Sequence, residues 1–524
     1  MKTQKKAGGS SGESVWMATG STPSFPRLQE NTQADVCIVG AGIAGMSTAY
    51  MALQAGQSVI VLDDGPVGGG VTQATTAHLS NAIDDRFYRI ERIHGPEGAR
   101  LAAESHTAAI HRIAGIAQKE AIACDFAWVD GYLFAPPDES QDIIDRELEA
   151  AHRAGLESVR KIARAPIRDF DTGPCLLFPN QAQFHPLRYL AGLAEAIVRG
   201  GGRIFSQTHA DRIEGGHPAR VSAGDYTVTS QAIVVATNTP VNDLVAIHTK
   251  QAPYMTYVIG APIPREAVAK ALYWDLDDPY HYIRYADADS DPKEQGDGML
   301  IIGGEDHKTG QATDTEERHS RLEAWARKRF PAMREVAYRW SGQVMETTDG
   351  LAFIGRNPLD KENVFIVTGD SGMGITHGAI AGVLLTDLIM GRENAWASLY
   401  DPSRISLMAS AAYIGETVNM AMQYKDWLTT GDVGSEDEIQ SDSGAIIRRG
   451  LSKYAVYRDA VGVTHECSAV CPHLGCIVQW NPTEKTWDCP CHGSRFDKFG
   501  EVINGPANKS LSRSAEVSQH TSKS

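Results

Sequence analysis

Residues 35–63, DVCIVGAGIAGMSTAYMALQAGQSVIVLD, change their hydrophobic period three times. A continuous apolar run gives way to glycines, then to apolar residues at helical spacing, then to a second apolar run. That order predicts strand, turn, helix and strand, with the strands buried on both faces. A similar run, AIVVATN at 232–238, reads as a returning strand. Residues 340–390 repeat the logic: WSGQVMETTDGLAFIG precedes a strand VFIVTG, a DSGMG turn and an apolar helix ITHGAIAGVLLTDLIM. The expected fold is therefore an α/β domain at 35–395 whose parallel sheet is covered on both faces. Its sheet is assembled from 35–80, 160–250 and 340–395. Between these pieces, 81–160 is helix-rich, and 250–340 alternates strand patterns with a charged helix. Both are assigned to an α+β cap over the sheet. Residues 1–34 read as a polar lead. Residues 396–440 read as an apolar-striped helix running into an acidic, Gly/Ser-rich linker (431–444), and 441–512 as a small all-β module before a polar tail at 513–524.

Gly40, Gly42 and Gly45 form G-x-G-x-x-G between the first strand and its helix, and Asp63 closes the second strand. In that context the glycines allow a tight turn, approach of the backbone to a pyrophosphate at the helix N-terminus, and close packing of helix on strand. The acid accepts hydrogen bonds from a ribose. The fingerprint alone does not choose NAD over FAD. The second glycine turn, before residue 375, aims another helix N-terminus at the site, where its dipole stabilises the negative charge of a reduced flavin.

Half of the chain's eight cysteines fall in CPHLGCIVQWNPTEKTWDCPCHGSRFD, residues 471–497. Two loops, Cys471-Pro-His473 and Cys489-Pro-Cys491-His492, each offer one thiolate and one imidazole. A Cys2His2 zinc site is the alternative, but zinc fingers usually pair like ligands on one element. Like ligands split between loops suit a 2Fe-2S cluster, with Cys471 and Cys489 on one iron and His473 and His492 on the other. Cys476 and Cys491 remain, one in each loop, where a disulfide could tie the loops together.

Residues 471–476 and 489–494 resemble the two signature boxes of Rieske proteins of the disulfide-containing, high-potential type, and Gly505-Pro506-Ala507 resembles the proline loop that covers the cluster. By that resemblance the Ser494 hydroxyl reaches a cluster sulfur, while Phe496 stands where quinol-oxidising relatives carry a donor tyrosine. Residues 35 to about 395 resemble the D-amino acid oxidase-like family in the fingerprint, the TTAHLS stretch, DGLAFIG and TGDSGMG. This resemblance implies an α/β FAD-binding fold, Rossmann-like and of the glutathione-reductase type, with FAD, a substrate with an oxidisable C–N bond, and contacts of Gly369, Gly372, Met373 and Gly374 with the isoalloxazine. His78 in TTAHLS lies near where some relatives attach flavin covalently, and no cysteine lies near 369–376 to do so. Noncovalent FAD is the expectation.

Residues 278–286, DPYHYIRYA, read as a strand with Tyr280, Tyr282 and Arg284 on one face. An arginine flanked by aromatics suits a substrate carboxylate, so Arg284 and Tyr282 are the candidate substrate residues. Tyr254, Tyr257 and His307 are further candidates.

A net charge of −16 argues against nucleic acid, which needs a basic face. No run of eighteen apolar residues predicts a transmembrane segment, and the default compartment is the cytoplasm. Cys37, Cys124, Cys175 and Cys467 read as plain thiols. The chain is thus expected to oxidise an amine or amino acid at FAD. Electrons would then pass singly through the cluster to an acceptor such as a cytochrome, ferredoxin or quinone. The rival readings are an NAD(P)H-linked electron-transfer component for an oxygenase, and a redox sensor working through the Cys476–Cys491 pair.

Overall fold

The computed structural model of the chain describes residues 12–135, 142–242, 247–287, 297–405, 415–416, 418–419 and 422–513. Its organising element is a six-stranded sheet in the order Phe353–Arg356, Val364–Thr368, Ala232–Val235, Val36–Val39, Val59–Leu62, Arg203–Phe205. All neighbours are parallel except the Phe353–Arg356 edge. The four-residue runs VCIV, VIVL and AIVV are buried throughout, as strands covered on both faces require. The helices Ile43–Gln54 and Gly374–Ile389 pack side by side over this sheet. Both therefore begin at the same edge, each behind a glycine turn.

A nine-stranded sheet forms the cap. Its spine is Gln251–Ile263, paired antiparallel with Gly298–Lys308 on one side and with Tyr338–Thr347 on the other. Two boundaries of the sequence reading move here. Cys175–Gln183 and Tyr338–Thr347, expected in the flavin sheet, belong to the cap, because long antiparallel ladders to Ala127–Phe134 and Gln251–Ile263 hold them there. The helical stretch Phe87–Lys119, broken by a kink at Gly95 and expected in the cap, packs against Gly374–Ile389 as well as against the helix Asp142–Arg153.

The C-terminal module stacks a three-stranded sheet (Ser443–Arg449, Ser452–Arg458, Thr464–Ser468) on a four-stranded one (Gln479–Asn481, Thr486–Asp488, Arg495–Asp497, Val502–Asn504). The segment 431–444 is not a free linker. Gly431 and Val433 bridge to Ile447, Asp432 accepts from the Ile446 N–H at 2.8 Å, and Ile439 is buried in the module's core. The helix expected within 396–430 lies largely outside the described residues. Ala397–Tyr400 and the 3₁₀ turn Tyr424–Leu428 flank it.

The polar lead is anchored too. Val15 and Trp16 are buried in the short helix Val15–Thr19, the Trp16 indole donates to Thr75 O at 2.6 Å, and Thr32–Gln33 pairs with Val228–Thr229.

Candidate functional site

A cavity of about 640 Å³ runs between the flavin sheet, the cap and the C-terminal module. At one end lies the fingerprint. A Cβ on Gly45 would fall 1.9 Å from Gly40 O, so helix and turn touch there, whereas one on Gly42 would meet only Thr72 Oγ1 at 3.3 Å and otherwise face the cavity. The N-terminus of Ile43–Gln54 is thus open to a pyrophosphate. Asp63 lines the same end, its carboxylate accepting from Ala41 N at 2.6 Å and Gly65 N at 2.7 Å.

Gly372, Met373 and Gly374 line the middle of the cavity at the start of the second helix. Gly369 does not. It stands behind the wall, where a Cβ would strike Thr347 Cγ2 at 2.3 Å. His78 also lines the cavity, with Nδ1 3.0 Å from Thr76 Oγ1 and Nε2 3.2 Å from Ile283 O. Burial lowers its pKa to about 3, so the ring is neutral. With both nitrogens engaged, neither is presented for a covalent flavin bond.

Tyr280 and Tyr282 face the cavity with ring centroids 5.5 Å apart, and the Tyr282 hydroxyl is 2.6 Å from Thr256 Oγ1. Arg284 departs from the sequence reading. It shares their strand face but is only 2% exposed and lies outside the cavity lining. Its Nη1 donates to Thr76 O, Ala77 O and Phe184 O, and its guanidinium covers the Trp16 ring at 5.0 Å. The period of two placed it correctly on the strand, but the helix Val15–Thr19 and the 76–77 turn fill the space where a substrate carboxylate would sit. Tyr257 and His307 bond to each other at 3.0 Å, also away from the lining.

The cysteine- and histidine-bearing loops converge at the other side of the cavity wall. Cys476 and Cys491 form a disulfide with their Cα atoms 6.4 Å apart. Cys471 and Cys489 are free, buried thiols lying against each other: contact with Cys489 lowers the pKa of Cys471, and contact with Cys471 raises that of Cys489. The His473 and His492 rings are 4.8 Å apart. His492 is buried, neither ring nitrogen has a hydrogen-bond partner among the described residues, and burial followed by the neighbouring His473 and His248 lowers its pKa to about 3. Two buried thiols beside a pair of imidazoles, of which His492 is uncharged with both ring nitrogens open, fit a 2Fe-2S cluster of the Rieske kind. Ser494 Oγ accepts from Ala507 N at 3.0 Å and lies against the Cys471 thiol, whereas Phe496 is fully buried in the module core.

Sequence reasoning missed the residues that join the two ends. His248, 3% exposed, brings its ring to 4.8 Å from His473 and 5.8 Å from His492. Gln343 lines the cavity, is 2% exposed, donates to Gly493 O at 2.8 Å and accepts from the Asn504 amide. Gly493 has φ +78°, and a Cβ there would come within 2.4 Å of Pro253. Residues 502–505, 507 and 508 of the module themselves line the cavity. These roles exist only across an interface, and no local pattern announces them.

The profile described as "FAD dependent oxidoreductase" matches residues 35–388, and "Rieske [2Fe-2S] domain" matches 429–516. A putative Rieske 2Fe-2S iron-sulfur protein of Bacillus subtilis, YhfW, is 33% identical over 95% of this chain and 97% of its own length. Gamma-glutamylputrescine oxidoreductase of Escherichia coli is 27% identical over 72% of this chain and 88% of its own. Glycine oxidase from Geobacillus kaustophilus superposes with a TM-score of 0.57 at 18% identity, covering 71% of this chain and 99% of that one, a likeness of fold. Among the described residues no helix is long and apolar enough to cross a membrane. The chain belongs to the FAD-dependent oxidoreductases and carries a Rieske domain, with FAD and a 2Fe-2S cluster as its cofactors.

Proposed function

We propose that the protein is a dehydrogenase that oxidises the C–N bond of an amine at FAD and passes the electrons one at a time through its Rieske cluster to an external one-electron acceptor. Bound FAD would supply the redox chemistry, taking two electrons and one proton as a hydride from the C–N carbon of the uncharged amine so that the substrate leaves as an iminium ion, which water hydrolyses. In this reading the N-terminus of Ile43–Gln54 and Asp63 hold the pyrophosphate and ribose, Gly372 to Gly374 face the isoalloxazine, and Tyr280 and Tyr282 shape the substrate end. Cys471, His473, Cys489 and His492 are the iron ligands.

One observation carries the reading. Gln343, a wall residue of the flavin cavity, is hydrogen-bonded to the carbonyl of Gly493, next to His492. The histidine pair is packed beneath His248 of the flavin-bearing part. This arrangement suits electrons entering the cluster from the flavin within the same chain. The acceptor is a cytochrome, ferredoxin or quinone.

The test is anaerobic mixing with a panel of amines and amino acids. Bleaching of the flavin by a substrate, followed by the reduced-cluster resonance signal without added mediator, is the expected result. Rapid bleaching by NADH alone would replace this reading with the oxygenase-component one. The disulfide is buried and offers little access to the thiol reductant that would have to open it, which counts against a sensor.

A further inference from the structure

The substrate end of the cavity has an unbalanced charge. Asp84 and Asp370 line it, and no lysine or arginine does so among the described residues. Glu346, two residues beyond the cavity-lining Val344 on Tyr338–Thr347, stands behind the lining, where the charges of Asp84, Asp370 and Asp306 reach it. Asp306 stands against the Thr256 hydroxyl of the cavity wall, and its Oδ1 is shut off from solvent with no hydrogen-bond partner.

The four carboxyls sense one another. Burial first, and then Asp85, Asp84, Asp370 and Asp306, oppose ionisation of Glu346. Asp85 has its own cation, Arg89, at 2.9 Å, but none of the other four makes an ion pair among the described residues. The nearest arginines are committed elsewhere. Arg86 donates to Ile83 O and Asp275 O, and Arg318 to Asp314 and to the carbonyls of residues 305 and 306. Arg86 and Arg318 ease the ionisation of Asp84 and Asp306 from a distance, but carboxyl groups gathered in a dry pocket without a paired cation are costly to ionise unless one arrives with the ligand. The Tyr280 and Tyr282 faces beside them offer the same cation a second attraction.

Resting on the amine-oxidising reading above, we propose that the substrate is a diamine or polyamine lacking a carboxylate at the reacting carbon, whose distal ammonium is held by Asp84 and Asp370, with the carboxyls of Asp306 and Glu346 behind them. An α-amino acid would bring its carboxylate into this wall with no guanidinium to receive it, since Arg284 is locked to backbone carbonyls behind the cavity.

The experiment uses the FAD-loaded, full-length protein. Calorimetric titration with 1,4-diaminobutane and spermidine is compared with glycine, proline and anthranilate, and flavin bleaching is followed in parallel. The diamine or polyamine should bind and the carboxylates should not, with affinity dropping at least about tenfold in Asp84→Asn and again in Asp370→Asn. Should either variant misfold, the unmodified protein still decides by its rank order of ligands. Tighter binding of anthranilate or glycine than of diamines, or no binding of either amine probe, overturns the proposal. Bleaching by an amino acid but not by diamines would sink the cation site while leaving the amine-oxidising reading intact. Bleaching by NADH alone would sink both.

Discussion

The cluster end and the substrate end of this molecule are built on opposite plans. At the cluster end, four cysteines and the His473 and His492 rings come from two short loops at 471–476 and 489–492, braced by one disulfide, and the His248 ring joins them from elsewhere in the chain. At the substrate end, the wall is drawn from residues as far apart as Asp84, Thr256, Tyr282, Asp370 and Asn504. A metal site fixes its donors by ligand type and spacing, so its chemistry is carried by a contiguous string. A substrate pocket fixes only shape and charge, which many distant segments can supply.

The largest effect that would break this contrast is at the cluster. His492→Ser should remove the Rieske resonance signal and its iron altogether while FAD remains bound. A surviving signal would mean that the ligands are not confined to these loops. Next is Arg284→Met, which leaves three buried carbonyls without their donor and should lower stability by about 2–4 kcal/mol, read as a fall in the urea midpoint. Selectivity between amines and amino acids should be unchanged; a selectivity change without a stability loss would restore Arg284 to the pocket. Gly493→Val forces a side chain into a left-handed backbone position and against Pro253, at a cost of about 1–3 kcal/mol. It should slow appearance of the reduced-cluster signal after flavin bleaching, which rapid-freeze resonance would follow.

Acidity sharpens the comparison from the other side. Burial raises the pKa of Asp84 and Asp370 to about 6 and of Asp306 to about 7. Their folded values lie above the unfolded ones, so the native state keeps protons that the unfolded chain has released. The stability this lends is full below about pH 4 and is lost as pH rises through about 6 to 7. Melting of the substrate-free protein should show that decline, with a shallower slope in Asp306→Asn. An unchanged slope would place Asp306 in solvent. The smallest effect is Ser494→Ala. Loss of a hydroxyl beside the Cys471 sulfur should lower the cluster potential by tens of millivolts, since about 1.4 kcal/mol corresponds to roughly 60 mV for one electron. Protein-film voltammetry would detect it.

The legibility of the chain follows the same division. Gly40, Gly42 and Gly45, the buried runs at 36–39, 59–62 and 232–235, and the two Cys/His loops were readable because each signal is complete within a few residues. Arg284 was misplaced because periodicity assigns a face but not what lies opposite it. Val15 and Trp16 sit in a helix of five residues, too short for any period, and acidic composition at 431–444 hid the anchors Val433 and Ile439. His248 and Gln343 carried no signal at all, since each acts on the partner half of the chain. The charge of the pocket was invisible for the same reason: Asp84, Asp306, Glu346 and Asp370 meet only in three dimensions.

The wall formed by Val502 to Asn508 sets an order of events during synthesis. The sheet that receives FAD needs strands from residue 36 to residue 368, and it is complete while the Rieske module is still being translated. At that moment the cleft stands open on the side the module will later close. FAD therefore has its widest entrance before docking, and the docked module then acts as a latch on it. Cofactor exchange in the finished protein would have to lift a whole domain held by Gln343, Gln311 and Asn508 across the seam.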